Sequence, residues 1–525
     1  MSDVNVGVVS IAFALYTLAI VAVGIYSARY ARRSDEDYFL AGRSLGAWTA
    51  ALSASASSES GWVTLGLVGW AYGSGVSAYW IIPGCLFGFL FNWFIVARRL
   101  RDRAEQLQAL TLPDLFAFHY GERLPLLRGL SVIVILASML LYVAAQFAAA
   151  GKAFAATFGG YFESIAQQAF HVSYAGLDYH VGVLAGAAIV LLYTVTGGFR
   201  AVCWTDFLQA LLMVGTLVIF PFYVLFTCDG GYAFIIREFQ SDPAGQGLLS
   251  FIPPFNTQAQ TAAFIGFLFG SGALGINFGY PGQPHVLVRF MALRSRKEAV
   301  IGGFVSATWA ILVYWGAVTI GLLARAMSMK GVEWTAPLAT SDAAQELGLV
   351  LSAMHMLPAV LSGLVLAAVL AAICSTADSQ LVVAASAAAN DLYARLFSRS
   401  GRTSHLIVNR LTVLVLGVLA VLVVINRQVT VYQMVLTYGW AMLGAAFGPQ
   451  IILMLFWRRS SYAGCLAGMI VGFDVALLWQ LIYAAKIEDQ TGIHIYNLPL
   501  AFISALLAHI AVSYIVPTRP PRATT

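Results

Sequence analysis

The chain has 525 residues, of which 60% are apolar and only 10% are charged, whereas a soluble globular protein has about 25% charged residues. So little charge cannot cover the surfaces of the two or more soluble domains expected at this length. The composition excludes a soluble enzyme, a nucleic-acid-binding protein and a disordered scaffold. It predicts an all-α integral membrane protein. The five scattered cysteines lack any CxxC pair, which indicates buried apolar side chains.

Thirteen stretches are long and apolar enough to cross a membrane as helices, for which roughly 20 residues are needed. They lie near residues 6–28, 46–72, 77–97, 127–150, 180–198, 205–227, 260–281, 299–323, 355–388, 406–425, 430–456, 462–484 and 496–516. The first is too long for a secretory signal, so we expect it to be retained. No loop is longer than about 30 residues, so we expect residues 1–525 to form a single transmembrane domain without an appended soluble domain.

Basic residues predict the orientation of these spans. Of the 29 Lys and Arg residues, 23 fall in the loops and tail on one side, Arg289 among them, and the other 6 on the opposite side. Acidic residues show no such bias. Because cytoplasmic loops are enriched in Lys and Arg, we expect the N-terminus outside and the tail, residues 517–525, in the cytoplasm.

Two spans have a composition that weakens a helix. The second contains a serine-rich run, Ser53 to Gly61, and the seventh contains a run rich in Gly and Pro, Gly270 to Pro284. Backbone groups freed in lipid are tolerated only where they line a cavity or an ion site, although small residues also serve close helix packing. Interrupted spans at matching places in two halves indicate an inverted-repeat transporter. We therefore predict a 5+5 core with residues 46–227 as the first repeat and 260–456 as the inverted second repeat. The peripheral spans are then 6–28 and the two within 462–516.

Ionisable residues inside spans are candidate functional residues by default. Glu59 lies in the first interrupted span, and Asp378 lies beside Ser375 and Ser379 in the ninth. Hydroxyl and carboxylate oxygens are hard ligands that suit a small cation. The alternative is that the hydroxyls bond to carbonyls of their own helix. With a carboxylate beside them in so apolar a span, we favour a cation site.

Two further carboxylates and two tyrosines have less specific surroundings. Asp206, at the start of the sixth span, is either a cation ligand or the cap of that helix, and the sequence leaves both open. Asp474, in a late span, indicates a structural hydrogen bond to another helix. Tyr142 and Tyr280 lie within or beside the predicted core, where they either line a substrate cavity or pack structurally.

Four stretches of the chain together resemble the sodium/solute symporter family and, within it, the sodium/proline symporters. They run from Gly42 to Gly69, from Tyr193 to Ala210 with its Gly197-Gly198-Phe199, from Gly282 to Ala292, and from Cys374 to Tyr393. They occur in order, and the resemblance covers essentially the whole chain.

The resemblance implies the leucine-transporter-like fold, with thirteen transmembrane helices here, in a bacterial inner (plasma) membrane. It also implies secondary active transport: Na⁺-coupled symport of a small organic solute, above all an amino acid such as proline, by alternating access. Na⁺ would be the coupling ion, and the solute and the lipid bilayer would be the partners. No enzymatic activity, nucleic acid or obligate protein partner is implied.

The resemblance also implies site residues. Backbone carbonyls and side-chain hydroxyls where the second and ninth spans meet would bind Na⁺: Ala56, Glu59, Ala372, Ser375 and Thr376. A second cation site found in some members would use Ser375 again, with Asp206, Asp378 and Ser379. Residues beside the interrupted helices would bind the substrate: Ser57, Ser60, Trp62, Tyr142, Tyr280 and Pro284.

The chain departs from sodium/proline symporters at a few positions in or beside these sites. Ser58 and Ile276 stand where an Asp and a Trp are typical, and Glu59 and Asp378 are acidic where hydrophobic or hydroxyl residues are usual. An extra carboxylate could bind a proton, a second cation or a cationic group of the substrate, and the sequence does not rank these roles. One alternative is an H⁺-coupled symporter, with Glu59 or Asp378 as the proton site. An alternative of another class is a transporter-like membrane sensor that signals solute to a separate partner.

Overall fold

The chain folds into a helical bundle, seen in a computed structural model that describes residues 6–27, 35–122, 124–171, 174, 176–228, 230–393, 402–427, 429–491 and 495–517. Ten helices in this part are long and apolar enough to cross a membrane. The described residues contain no β-strand, only one isolated bridge between Leu45 and Leu293. The all-α membrane architecture is thus confirmed, whereas the count of thirteen spans stays a prediction.

We label nine helices in chain order among the described residues of the first half. They are α1 (Val6–Ser27), α2 (Ala47–Ser58), α3 (62–74), α4 (81–106), α5 (Leu112–Tyr120), α6 (Leu126–Phe158), α7 (Tyr161–Phe170), α8 (Leu177–Val195) and α9 (Gly198–Thr227).

We label ten more helices among the described residues of the second half. They are α10 (Tyr232–Ser241), α11 (Gln258–Leu268), α12 (Pro284–Met291), α13 (Arg296–Met329), α14 (Gly348–Met356), α15 (Ala359–Ser386), α16 (Arg402–Val424), α17 (Val431–Phe456), α18 (Tyr462–Ile487) and α19 (Asn497–Ile515).

The centre of the bundle is formed by α6, α13, α15 and α17. The most apolar stretches of α6 and α13 each bury 72% of their residues, and those of the helical runs 359–393 and 431–456 bury 78% and 83%. The corresponding figures for α18 and α19 are 28% and 39%, and their peripheral position stays a prediction. Helices exposed on the outside of a membrane bundle face lipid, so their apolar side chains need no protein contact.

The two interrupted spans run in opposite directions. Leu45, just before α2, donates its backbone N–H to the carbonyl of Ala292 over 3.1 Å, and its own carbonyl accepts from the N–H of Arg294 over 3.0 Å. Because α2 begins at this bridge and α12 ends at it, the chain leaves along one helix and returns along the other. Inverted repeats require this relation, although the assignment of the repeats stays a prediction.

The structure differs from the predicted spans in three places. The fifth and sixth spans meet without a loop at Gly198, whose φ of 64° and ψ of −177° are open to glycine but not to L side chains. The two longest predicted loops contain α10 and α14. Arg289 was counted with the loops, but it lies in α12 with a fully buried side chain. The Gly/Pro-rich run ends the apolar stretch early, so hydropathy alone missed the helix that follows it.

Candidate functional site

The first interrupted span is broken between α2 and α3. Its helix ends at Ser58, and Glu59 has non-helical dihedral angles, φ −106° and ψ 71°. Side chains then satisfy the freed backbone groups: the indole N–H of Trp62 donates to the carbonyl of Ser58 over 2.8 Å, and the N–H of Gly61 donates to the amide oxygen of Gln146 over 3.0 Å. Such substitution of lost helical bonds makes irregular backbone tolerable at membrane depth.

The second interruption follows α11, which ends at Leu268, and is a 3₁₀ segment over Leu274–Gly282. Three backbone carbonyls in this segment accept hydrogen bonds from side chains. Trp440 Nε1 donates to the carbonyl of Ile276 over 3.1 Å, Asn92 Nδ2 to that of Tyr280 over 2.8 Å, and Gln283 Nε2 to that of Gly279 over 3.1 Å. Both predicted interruptions therefore exist.

Four of the five residues expected at the Na⁺ site are in hydrogen-bond contact. The Ser375 hydroxyl lies 3.0 Å from the carbonyl oxygens of both Ala56 and Ala372. The Thr376 hydroxyl lies 3.2 Å from the Ala372 carbonyl and 3.5 Å from that of Ala56. Glu59, the fifth, follows directly on the end of α2. Buried hydroxyl and carbonyl oxygens from α2 and α15 thus converge on one point, and oxygen ligands of this kind suit an alkali cation.

A second polar cluster lies beside the first, one turn further along α15. Asp206 Oδ2 accepts from the Ser53 hydroxyl over 2.6 Å and from the Ser57 hydroxyl over 3.3 Å. The hydroxyls of Ser57 and Ser379 are 2.9 Å apart. Ser379 in turn donates to Asp378 Oδ1 over 3.2 Å. The structure therefore brings Asp206, Asp378 and Ser379 together, as residues of one site must be.

Arg289 fills the middle of this second cluster. Its Nη2 lies 2.7 Å from Asp206 Oδ2, 2.7 Å from the Ser57 hydroxyl and 2.6 Å from the Ser379 hydroxyl. Its Nε donates to Ser53 over 2.7 Å. Neither Arg289 nor Asp206 exposes its side chain. The guanidinium therefore balances the Asp206 charge and pins α12 to α2, α9 and α15.

Two oxygens of the second cluster lack a hydrogen-bond partner among the described residues: Asp206 Oδ1 and Asp378 Oδ2. A buried carboxylate oxygen without a donor is costly, so each is a free acceptor for a cation or a proton. Asp206 lies inside α9, which begins at Gly198, so it does not cap that helix, and the cap that the sequence left open is wrong. Asp474, by contrast, is exposed on α18, and no described hydrogen bond gives it the structural partner that the sequence indicated.

Glu59 occupies a separate pocket on the α13 side of the break. Its side chain is fully buried, and Oε2 accepts a short hydrogen bond from the indole N–H of Trp309. Within the described residues, Oε1 has no hydrogen-bond partner and no basic side chain forms an ion pair with Glu59. Two tyrosine hydroxyls extend this polar region: that of Tyr314 lies near Glu59, and that of Tyr280 lies 3.3 Å from the Tyr314 hydroxyl.

The aromatic residues predicted to bind substrate lie along the two breaks. Tyr280 packs edge-on to Trp440 with 4.8 Å between the ring centroids, and Tyr142 packs edge-on to His285 at 6.0 Å. Trp62 lies 5.9 Å from Tyr314. Ser60 lies in the first break, and Pro284 begins α12 and lines a small cleft with Phe199 and Thr111. All these substrate candidates are buried, Pro284 included.

Several buried polar atoms beside the breaks have no hydrogen-bond partner in the described part of the chain. They are the Tyr142 hydroxyl, Gln146 Nε2, Gln283 Oε1 and both ring nitrogens of His285. Native proteins leave few such groups unsatisfied without a reason, so these atoms are candidates to contact a solute. The sequence predicts a role for Tyr142 but none for Gln146, His285, Gln283 and Arg289. Gln146 is a polar residue in the otherwise apolar α6, and the other three lie in the third family stretch, Gly282 to Ala292; no other feature of the sequence marks them.

Comparison with known proteins accounts for nearly the whole chain. The model of the sodium:solute symporter family matches residues 38–472. The osmoregulated proline transporter OpuE of Bacillus subtilis is 35% identical over 517 residues, 98% of this chain and 96% of that protein. The sodium/proline symporter of Escherichia coli is 34% identical over 472 residues, 90% of this chain and 87% of that protein.

A solved structure shares the fold. The substrate-bound outward-open state of a Na⁺-coupled sialic acid symporter aligns with a TM-score of 0.71 at 19% identity and covers 98% of each chain. At that identity the likeness shows the fold alone. Together with the family match and the close relatives, it confirms the resemblance found in the sequence motifs: the chain belongs to the sodium:solute symporter family and is a Na⁺-coupled solute symporter.

Proposed function

We propose that this symporter couples the entry of Na⁺ to the uptake of a small amino acid, with proline as the first candidate. The observation that carries the proposal is the convergence of the Ala56 and Ala372 carbonyls with the Ser375 and Thr376 hydroxyls. These oxygens belong to two helices, and one of the helices ends just beyond the site. Proline is chosen because proteins over 30% identical to this chain are named proline transporters.

Na⁺ at this point would join α2 to α15. In the structure the two hydroxyls donate to carbonyls across the helices, and a cation would replace those hydrogen bonds by direct oxygen coordination, with the carbonyl of Glu59 as the fifth ligand. Because the site spans an unwound helix end, the ion stabilises the arrangement of the break that binds solute. The membrane potential adds roughly 2.3 kcal/mol per charge at 100 mV to the driving force.

We propose a second cation position at Asp206, Ser375, Asp378 and Ser379. The carboxylate oxygens Asp206 Oδ1 and Asp378 Oδ2, which have no donor among the described residues, support it. The Arg289 guanidinium next to Asp206 opposes it, because a cation here meets a fixed positive charge. Occupancy therefore depends on the negative charge of Asp378.

The solute is proposed to bind between the two breaks, against Ser57, Ser60, Trp62, Tyr142, Tyr280 and Pro284. A ring-shaped imino acid fits aromatic walls with few polar contacts. The unsatisfied Tyr142 hydroxyl and Gln146 amide are donors available to its carboxylate. Glu59, with its free Oε1, is an acceptor on the other side of the break.

The membrane arrangement is part of the proposal. We propose thirteen spans, repeats at 46–227 and 260–456, an outside N-terminus and a cytoplasmic C-terminus, in a bacterial inner membrane. Transport then proceeds by movement of one repeat against the other about the fixed site, without an enzymatic step or an obligate protein partner. H⁺ coupling through Glu59 or Asp378, and a sensor role, are the competing functions.

Uptake into proteoliposomes tests the function. The purified chain is reconstituted, and radiolabelled proline, other amino acids and carboxylates are offered with an inward Na⁺ gradient, an inward proton gradient or neither. We expect proline to accumulate only with the Na⁺ gradient. Accumulation driven by the proton gradient alone would establish H⁺ coupling instead, and binding of solute without any accumulation would establish a sensor.

The Na⁺ site itself is tested by Ser375→Ala. Loss of one hydroxyl ligand costs about 1–1.5 kcal/mol, so we expect the Na⁺ concentration for half-maximal uptake to rise about tenfold. Ser386→Ala is the matched control, since this buried serine of the same helix donates to the carbonyl of Val382 over 2.6 Å and has no other hydrogen bond among the described residues. An unchanged Na⁺ dependence in Ser375→Ala would remove the residue from the site.

A further inference from the structure

A charged groove lies outside the proposed transport site, among residues of the predicted cytoplasmic face. It has a volume of about 620 Å³ and is formed by the end of α4, the first turn of α13 and the end of α17. Its polar lining consists of Arg98, Arg99, Asp102, Arg296 and Lys297. Four cations face a single carboxylate, so the groove carries a net charge of +3.

The carboxylate is already engaged, which leaves the positive charge available. Asp102 pairs with Nε of Arg296 over 2.5 Å and with Nη1 of Arg101 over 3.2 Å. The guanidinium of Arg99 lies 4.1 Å from the centroid of the Phe456 ring, which holds it at the groove wall. In the described part of the chain no ion pair involves Arg98, Arg99 or Lys297. Three exposed cations therefore face the groove without an anion.

The walls of the groove continue into an apolar surface. Ile95 and Phe456 line it and are 45% and 39% exposed, and Ile301 and Phe304 follow on α13 at 48% and 65%. The rings of Phe94 and Phe304 pack at 5.3 Å. In a membrane protein such exposed side chains on spanning helices contact acyl chains. The groove thus has a cationic end and an apolar side, the two features of a phospholipid site.

We propose that this groove binds the headgroup of an anionic phospholipid, with the phosphate held by Arg98, Arg99 and Lys297 and an acyl chain lying along α4 and α13. Basic pockets between transmembrane helices on the cytoplasmic side bind anionic headgroups, and arginine pairs with phosphate in two-point contacts. A free phosphate ion would use the same cations but not the apolar wall, so the apolar wall selects the lipid.

The groove is linked to the transport machinery through α13. Glu298, in the first turn of α13, accepts the backbone N–H of Ala47 at the start of α2 over 2.8 Å. It also pairs with Arg294 over 2.6 Å. A lipid that holds the start of α13 therefore also supports the start of the first interrupted helix. The placement rests on the proposed topology, in which this face is cytoplasmic.

Lipid binding is measured by native mass spectrometry of the full chain in detergent after removal of bound lipid. Phosphatidylglycerol and phosphatidylcholine are titrated separately, and phosphatidylglycerol is titrated again with excess inorganic phosphate. We expect the first phosphatidylglycerol to bind at least about tenfold more tightly than phosphatidylcholine, and phosphate not to displace it. Equal binding of the two lipids, or displacement by phosphate, would overturn the lipid site.

The variant R98Q/R99Q/K297Q removes the three cations and is expected to abolish the preference. The matched control R410Q/R458Q/R459Q removes three exposed arginines from the same predicted face and is expected to retain it. Loss of preference in both variants would show a general effect of surface charge, and retention in both would exclude the groove. No solute or ion gradient is used, so the result is independent of the transport assay, and a melting curve of each variant confirms that it is folded.

Discussion

Asp206 and Glu59 are both fully buried carboxylates beside the first interrupted helix, yet their charges are balanced in different ways. Asp206 has a guanidinium 2.7 Å away and hydroxyl donors from Ser53 and Ser57. Glu59 accepts from the Trp309 indole, and no basic side chain pairs with it among the described residues. Each of the two carboxylates keeps one oxygen without a hydrogen-bond partner there. The first carboxylate carries its counter-charge within the fold, whereas the second depends on what binds to it.

This difference separates a buried charge that the fold already balances from one that needs a ligand to balance it. A buried ion pair whose members are hydrogen-bonded is costly to break, since either partner alone is an uncompensated charge. A buried carboxyl group without a cation is stable only when it is neutral or when an ion or substrate group binds to it. Asp206 is thus expected to hold helices together through the Oδ2 atom that pairs with Arg289, which leaves Oδ1 for the proposed second cation. Glu59 is expected to respond to a ligand.

The largest effect is expected from Arg289→Gln. It strands the Asp206 carboxylate among Ser53, Ser57 and Ser379, and loss of one partner of a buried pair costs about 3–5 kcal/mol. We expect the melting temperature in detergent to fall markedly and Na⁺-driven uptake to be lost. A variant that melts like the parent chain would contradict the role of this pair in stability.

The double variant Arg289→Gln with Asp206→Asn separates charge from shape. Because both charges are removed together, no buried charge is left unpaired. We expect the double variant to recover more than about 1 kcal/mol relative to Arg289→Gln alone, measured from paired melting curves. Additive losses in the double variant would show that the two residues do not stabilise each other.

A smaller effect on stability is expected from Glu59→Gln. The amide keeps an oxygen for the Trp309 indole, and no basic partner is stranded, so we expect the free energy of unfolding to change by less than about 1 kcal/mol. Asp206→Asn serves as the comparison, because it leaves Arg289 unpaired. If Glu59→Gln destabilises the chain as strongly as Asp206→Asn does, Glu59 has a counter-charge in the fold.

The same variant separates the roles left open for Glu59. Uptake by Glu59→Gln is measured with Na⁺ gradients and with proton gradients. Loss of a proton-driven component with retention of the Na⁺-driven one assigns a proton to Glu59. An unchanged ratio removes Glu59 from proton coupling.

The smallest effect is expected from the contact between Glu59 and Trp309. Trp309→Phe, combined with Glu59→Gln in a double-mutant cycle, measures how much more strongly the indole binds the carboxyl group than the amide, apart from the cavity that the smaller ring leaves. We expect a coupling below about 1 kcal/mol, because a buried carboxyl group without a cation is stable as the neutral acid, and its oxygen accepts much as the amide oxygen does. A coupling above about 1.5 kcal/mol, the range for a hydrogen bond to a charged group, would show an ionised carboxylate. Melting curves of the four chains supply the value.

The interruptions were predictable because their cause is local. Serine and glycine in one span, and glycine and proline in the other, weaken helices wherever they occur, and the structure breaks both spans at these runs. The pairing of Ser375 and Thr376 with the second span came from the family resemblance, and it requires an approach of residues more than 300 positions apart that no local pattern contains.

Gln146, His285 and Arg289 show why the rest was missed. Gln146 is one polar residue in a long apolar helix, and nothing in its neighbourhood in the sequence tells that it accepts from Gly61. Arg289 follows a Gly/Pro-rich run that ends an apolar stretch, so hydropathy placed it in a loop. Its burial is possible only because Asp206 from another helix supplies the opposite charge, and charge compensation is a property of the packed bundle.

The sequence by itself determined that this protein lies in a membrane, where two of its spans unwind and to which family it belongs. Composition, helix propensity and short motifs suffice for these, because each can be evaluated from the residues without knowing their contacts. Only the tertiary structure decided which buried charges are paired. In the sequence, Asp206 and Glu59 are both acidic residues within apolar spans. Their charge balance differs because α12 places the Arg289 guanidinium beside Asp206, whereas α13 places the Trp309 indole beside Glu59.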